Sequence, residues 1–131
     1  MKPSNFIFLE EEFPLLFNLG QSAEYNLHPD PVTCLMKLRQ FAEQLTILIF
    51  DSIGLGFPEE NSFHQQVKKL NAEQVLPSTI KDFIYTIRKK GNDANHAVNG
   101  DLKEATNVLF SSFKLGKWFY EACSVKNKDI S

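Results

Sequence analysis

Apolar residues recur at steps of three and four along most of this chain, the signature of helices with one face turned inward. Strand-like alternation is nearly absent, and the one Asn-Gly pair, Asn99-Gly100, has no strand-like runs beside it. Phe13, Leu16, Phe17, Gly20, Ala23, Glu24 and Leu27 share a face and predict a first helix from Glu12 to Leu27. Pro14 falls in its first turn, where proline is tolerated, and Glu10-Glu11-Glu12 suit the positive end of the helix dipole. His28-Pro29 stops it. Asp30 is a good N-cap and Pro31 fits the first helical position, so a second helix starts there. Its inward stripe is Leu35, Leu38, Ala42, Leu45 and Ile49, widened by Ile47, Leu48 and Phe50, and Gly54 or Gly56 ends it. This should be the central, most buried helix.

Shorter elements follow. Ser62 to Leu70 reads as a third helix with Phe63, Val67 and Leu70 inward. Pro77-Ser78 opens a fourth, with Ile80, Phe83, Ile84 and Ile87 inward and Gly91 as the expected residue just past its end. Asn92 to Gly100 is then a polar connection. Asp101-Leu102-Lys103-Glu104 has the form of a capping box. It opens a fifth helix whose inner side is Leu102, Ala105, Leu109, Phe113 (or Ser112), Gly116 and Phe119. Phe6-Ile7-Phe8-Leu9 is the one short apolar run that suits an extended arm laid on the core. The expected architecture is an all-α bundle of four to five helices: arm 1–9, bundle 10–123 and a polar tail 124–131 that frays or begins a linker.

With 131 residues, 43% of them hydrophobic and 23% charged, the chain fits one domain with a core that needs no disulfide or metal staple. Twelve Phe residues should supply much of that core. The formal charge is −2, which excludes a wholly basic nucleic-acid binder, but the halves differ. Residues 1–60 carry 3 basic and 9 acidic groups, net −6, and residues 61–131 carry 11 and 7, net +4. No run is long enough for a membrane span, and the start lacks the apolar core of a signal peptide, so the expected setting is cytoplasmic and without a membrane partner. Cys34 and Cys123, 89 positions apart, read as buried hydrophobes and not as a disulfide framework.

Candidate chemistry is sparse. No phosphate-gripping GxxxxGK[ST] loop and no HExxH is present, and His28, His64 and His96 lack ligand spacing, so no metal site is expected. Arg39 and Glu43 stand four apart on the second helix, either as a surface pair or as part of a polar network facing another helix. Arg88, Asn92 and His96 cluster around Gly91; they either close the end of the fourth helix or bring a guanidinium and a titratable imidazole together. Lys68, Lys69, Arg88, Lys89 and Lys90 are candidates for contact with a nucleic-acid backbone, or form a solvated face.

Phe8-Leu9-x-x-x-Phe13-Pro14-x-Leu16, Ala23-Glu24, Asp30-Pro31, Leu38-Arg39-x-x-x-Glu43 and Ile87-Arg88-Lys89-x-Gly91-Asn92-x-Ala94-x-His96 together carry a resemblance. From about Phe6 to Tyr120 the chain resembles a helical domain of unassigned function, common at the N-terminus of type I restriction enzyme R subunits and related DEAD/DEAH-type helicase proteins. It is similar to HEPN-like helical domains. The resemblance implies a non-catalytic interaction domain, partnered by other domains or subunits of a restriction-modification complex or by DNA backbone. It implies no cofactor in this stretch, the ATP and Mg2+ of the parent motor and nuclease lying outside it. HEPN ribonucleases place four to six residues between their Arg and His; here Arg88 and His96 have seven between them, with Lys89 after the arginine. The alternative that the resemblance implies is a metal-independent ribonuclease acting as a homodimer, with Arg88 on the phosphate, Asn92 as the polar neighbour and His96 as acid and base.

Overall fold

The computed structural model of the protein describes residues 3–94 and 101–125. A 3-10 turn, Ile7–Leu9, precedes five α-helices: α1 Pro14–Asn26, α2 Pro31–Ile53, α3 Phe63–Ala72, α4 Ser78–Ala94 and α5 Leu102–Cys123. The described residues contain no strand, and no helix among them is long and apolar enough to cross a membrane. The architecture is the small helical bundle expected from the periodicity.

Helix α2 is the hub: α1, α3, α4 and α5 all pack on it. It presents Cys34, Leu35, Leu38, Phe41, Ala42, Leu45, Thr46, Ile49 and Phe50 to the interior. Its start follows from local chemistry, because the Asp30 carboxylate accepts from the Thr33 backbone N–H at 3.2 Å and from its hydroxyl at 2.5 Å. Those two donors hold the Asp30 carboxyl below its ordinary value of 3.8. At the other end Gly54 takes the left-handed conformation with φ +67°, and Leu55 N–H donates to the Phe50 carbonyl at 3.1 Å. Burial raises the Cys34 thiol to about 12, with the Glu24 charge adding to the shift, so it stays protonated and packs as a hydrophobe.

Residues 3–9 differ from an extended arm. Phe6 and Leu9 are fully buried, and the segment coils because Ser4 collects local bonds. The Ser4 carbonyl accepts from Ile7 N–H, and its hydroxyl accepts from Phe6 N–H at 3.0 Å while donating to Glu24. Phe6 lies against Gly20, where a Cβ would fall 2.5 Å from the ring. Glu12 does not join the first turn of α1. Its carboxylate accepts from the Ser124 hydroxyl at 2.5 Å and from Val125 N–H at 2.9 Å, so the first residues of the expected frayed tail are fixed against the start of the bundle.

The inner side of α5 is Ala105, Val108, Ser112, Leu115, Gly116 and Phe119; Leu102 is 42% exposed and Leu109 only partly covered. The capping box is not reciprocal, since Asp101 accepts from Lys103 N–H while Glu104 turns to Lys90, 3.6 Å away. α3 ends without a glycine. Gln74 holds φ +56°, Gln74 N–H donates to Asn71 and Val75 N–H to Leu70 at 3.0 Å. A left-handed residue with a Cβ costs about 1–2 kcal/mol, and glycine loses part of that advantage through its freer unfolded chain. Gln74→Gly should therefore raise stability by about 0.5–1 kcal/mol, read from the denaturant midpoint at constant slope.

Candidate functional site

Asn92 reaches Arg39 because α4 does not stop at Gly91. Gly91 is buried within the helix, and the face Ile80, Ile84, Ile87, Gly91, Ala94 turns to the core. A Cβ on Gly91 would lie 2.5 Å from Arg39 Cβ and 3.1 Å from the Leu35 carbonyl oxygen. This is a close crossing of α4 over α2, not a left-handed helix end. The sequence signal was ambiguous: a glycine after a basic run suits a helix terminus, whereas a crossing is set by a partner about 50 residues away. Gly91→Ala gains about 1 kcal/mol of helix propensity, but the crowded atom is a Cβ fixed to the α2 backbone, and overpacking costs about 1–3 kcal/mol. The expected outcome is a net loss in urea unfolding; a gain of about 1 kcal/mol would show that the helices are not in contact there.

At the crossing, Arg39 Nε donates to Asn92 Oδ1 at 2.6 Å and Arg39 Nη1 to Glu43 Oε2 at 2.9 Å. The guanidinium also stands over the Phe63 ring, 5.6 Å from its centroid. One side chain of α2 thus joins its own helix, α4 and α3. The Arg39 and Glu43 side chains are 32% and 41% exposed, so solvent screens the pair and its contribution to stability is small. Its consequence is geometric: the guanidinium is held in one orientation at the mouth of the crossing.

Arg88 is not part of this network. It lies one turn before Asn92 and packs over Tyr85, 5.9 Å from the ring centroid. His96 lies outside the described residues, so its relation to Arg88 and Asn92 is not part of the described geometry. The five candidate cations do not form one patch. Lys68 is exposed on α3, Lys69 donates to the Gly56 carbonyl at 2.5 Å, and Lys90 faces Glu104 on α5. Arg88 and Lys89 remain together on α4, beside Asn92, Asp93 and Tyr85, which line a shallow depression. A second depression, lined by Met36, Arg39, Gln40, Gly91 and Asn92, shares Asn92 with the first. Tyr85, 55% exposed, escaped the sequence reading, although its place three residues before Arg88 on the polar side of α4 was available as a signal.

Among the described residues no three His, Cys, Asp or Glu side chains gather as metal ligands.

Comparison with known proteins places this geometry in context. A family model described as a domain of unknown function, DUF4145, matches residues 21–114, a span that includes Arg39, Glu43, Arg88 and Asn92. Over 120 residues the chain is 29% identical to the type I restriction enzyme EcoKI endonuclease subunit of Escherichia coli strain K12. That similarity covers 92% of this chain and 10% of the relative's length. No solved structure matches.

Proposed function

The chain belongs to the DUF4145 family, and from that premise we propose that it is an accessory interaction domain of a restriction-system protein. The observation that carries this reading is the extent of the similarity: nearly the whole chain corresponds to one tenth of an endonuclease subunit. On this reading the chain corresponds to one module of such a subunit, and ATP-driven translocation and Mg2+-dependent cleavage are assigned to other parts of it. The placement at the N-terminus of such a subunit is part of the same proposal. The site geometry supports a docking role. Arg39 is committed to Asn92 and Glu43, so it fixes the α2–α4 surface in a defined shape for a partner to meet. That partner is another domain or subunit of the complex, with DNA backbone as a further contact through Arg88 and Lys89.

The test is assembly. Purified chain is mixed with the separately purified modification and specificity subunits and with the remainder of the endonuclease subunit, then sedimented. Comigration with at least one component is expected; migration of the chain alone in every mixture would refute docking. Sedimentation of the chain by itself at several concentrations reads the homodimer. Incubation with RNA in EDTA is expected to leave the RNA intact. Cleavage by the wild type but not by His96→Ala would replace this proposal with the metal-independent ribonuclease.

A further inference from the structure

Two depressions that share Asn92 make up a furrow: one at the α2–α4 crossing, lined by Met36, Arg39, Gln40, Gly91 and Asn92, the other on α4 alone, lined by Tyr85, Arg88, Lys89, Asn92 and Asp93. We propose that this furrow binds an unpaired nucleic-acid strand, its phosphates held by Arg39, Arg88 and Lys89 and one base stacked on Tyr85.

Three observations carry the inference. The first is adjacency: Asn92 borders both the depression that holds Arg39 and the one that holds Arg88 and Lys89. The second is preorganisation. Nε and Nη1 of Arg39 are occupied by Asn92 and Glu43, and no bond to Nη2 is formed among the described residues. The guanidinium therefore offers a fixed remaining edge to an oxygen acceptor, which lowers the ordering cost of binding. The third is the exposed ring. Tyr85 is 55% exposed at the end of the furrow, with Arg88 packed on it. A cation beside an aromatic plate serves a strand with free base faces, because base stacking and phosphate pairing are then met by adjacent side chains. A duplex hides its base faces and leaves the ring unused.

Asp93 also lines the furrow and Glu43 offsets part of the Arg39 charge. Binding is accordingly weak and sensitive to salt. With two to three phosphates neutralised, the slope of log affinity on log salt should be about −1.4 to −2.1 for a single strand. This inference deepens the accessory-domain reading by naming a ligand for the same domain.

Fluorescence anisotropy of labelled oligo-dT and oligo-rU, about a dozen nucleotides long, tests it. Affinity should fall about twenty- to eightyfold between roughly 25 and 200 mM salt. The ratio of the two oligonucleotides identifies DNA or RNA as the source, and weak binding of either with this salt dependence supports the furrow. Arg88→Ala should flatten the salt slope by about 0.7. Tyr85→Ala should weaken binding about five- to a hundredfold with the slope unchanged, and Tyr85→Phe should restore it. Lys103→Ala, the same charge change at the start of α5, should bind as the wild type does. Equal binding by Tyr85→Ala and wild type, an unchanged slope in Arg88→Ala, duplex bound as tightly as single strand, or no binding at low salt would each overturn the inference. Lost strand binding with intact subunit docking refutes the furrow alone; the reverse pattern refutes the docking reading alone.

Discussion

Replacing Phe6 with alanine is expected to cost about 3–5 kcal/mol, the range for truncating a buried phenylalanine. Phe6 has no exposed surface although it stands close to the start of the chain. Its ring meets Phe41 edge-on at 5.3 Å and Phe113 at 6.0 Å, and it fills the space left by Gly20. Such aromatic pairs add about 0.5–1.5 kcal/mol each beyond the area they bury. The cavity would open among α1, α2 and α5 together, so little can collapse into it. Calorimetry should show a fall in Tm of roughly 10–20 °C. Ile7→Ala is the internal comparison. Its side chain is 51% exposed, and the change should stay within about 0.5 kcal/mol. Similar losses at both positions would mean that the segment is not seated in the core.

Leu45→Ala should cost about 2–5 kcal/mol, because Leu45 is fully buried at the middle of the helix on which all the others pack. Leu45→Met keeps most of the volume and should cost less than about 1.5 kcal/mol. The contrast separates loss of packing from loss of apolar character at one site. A cost near zero for Leu45→Ala in urea unfolding would place the wrong face of α2 inside.

The boundaries of α2 were legible in the sequence because they are made by neighbours: Asp30 caps through Thr33, and Gly54 supplies its own left-handed turn. The apolar stripes of α1 and α2 were legible for the same reason, since period and burial coincide. What was hidden depends on residues far away in the chain. Gly91 reads locally as a stop, yet the approach of Leu35 and Arg39 carries the helix through it. The N-terminal segment is drawn into a 3-10 turn by Ser4 bonding to Glu24 and to its own neighbours. In α5 the stripe passes through Val108 and Leu115, which a spacing begun at Leu102 misses. At the candidate site, residue type was enough to single out Arg39, Glu43, Arg88 and Asn92. Only the crossing angle decides that Arg39 reaches Asn92 while Arg88 turns to Tyr85.

The bonds from Ser124 and Val125 to Glu12 have a mechanical consequence. They latch the last turn of α5 to the approach of α1, so the beginning and the end of the described chain bear on a common joint. Removing Glu12 along with the residues before α1 would slacken α5 at its far end, more than a hundred positions away.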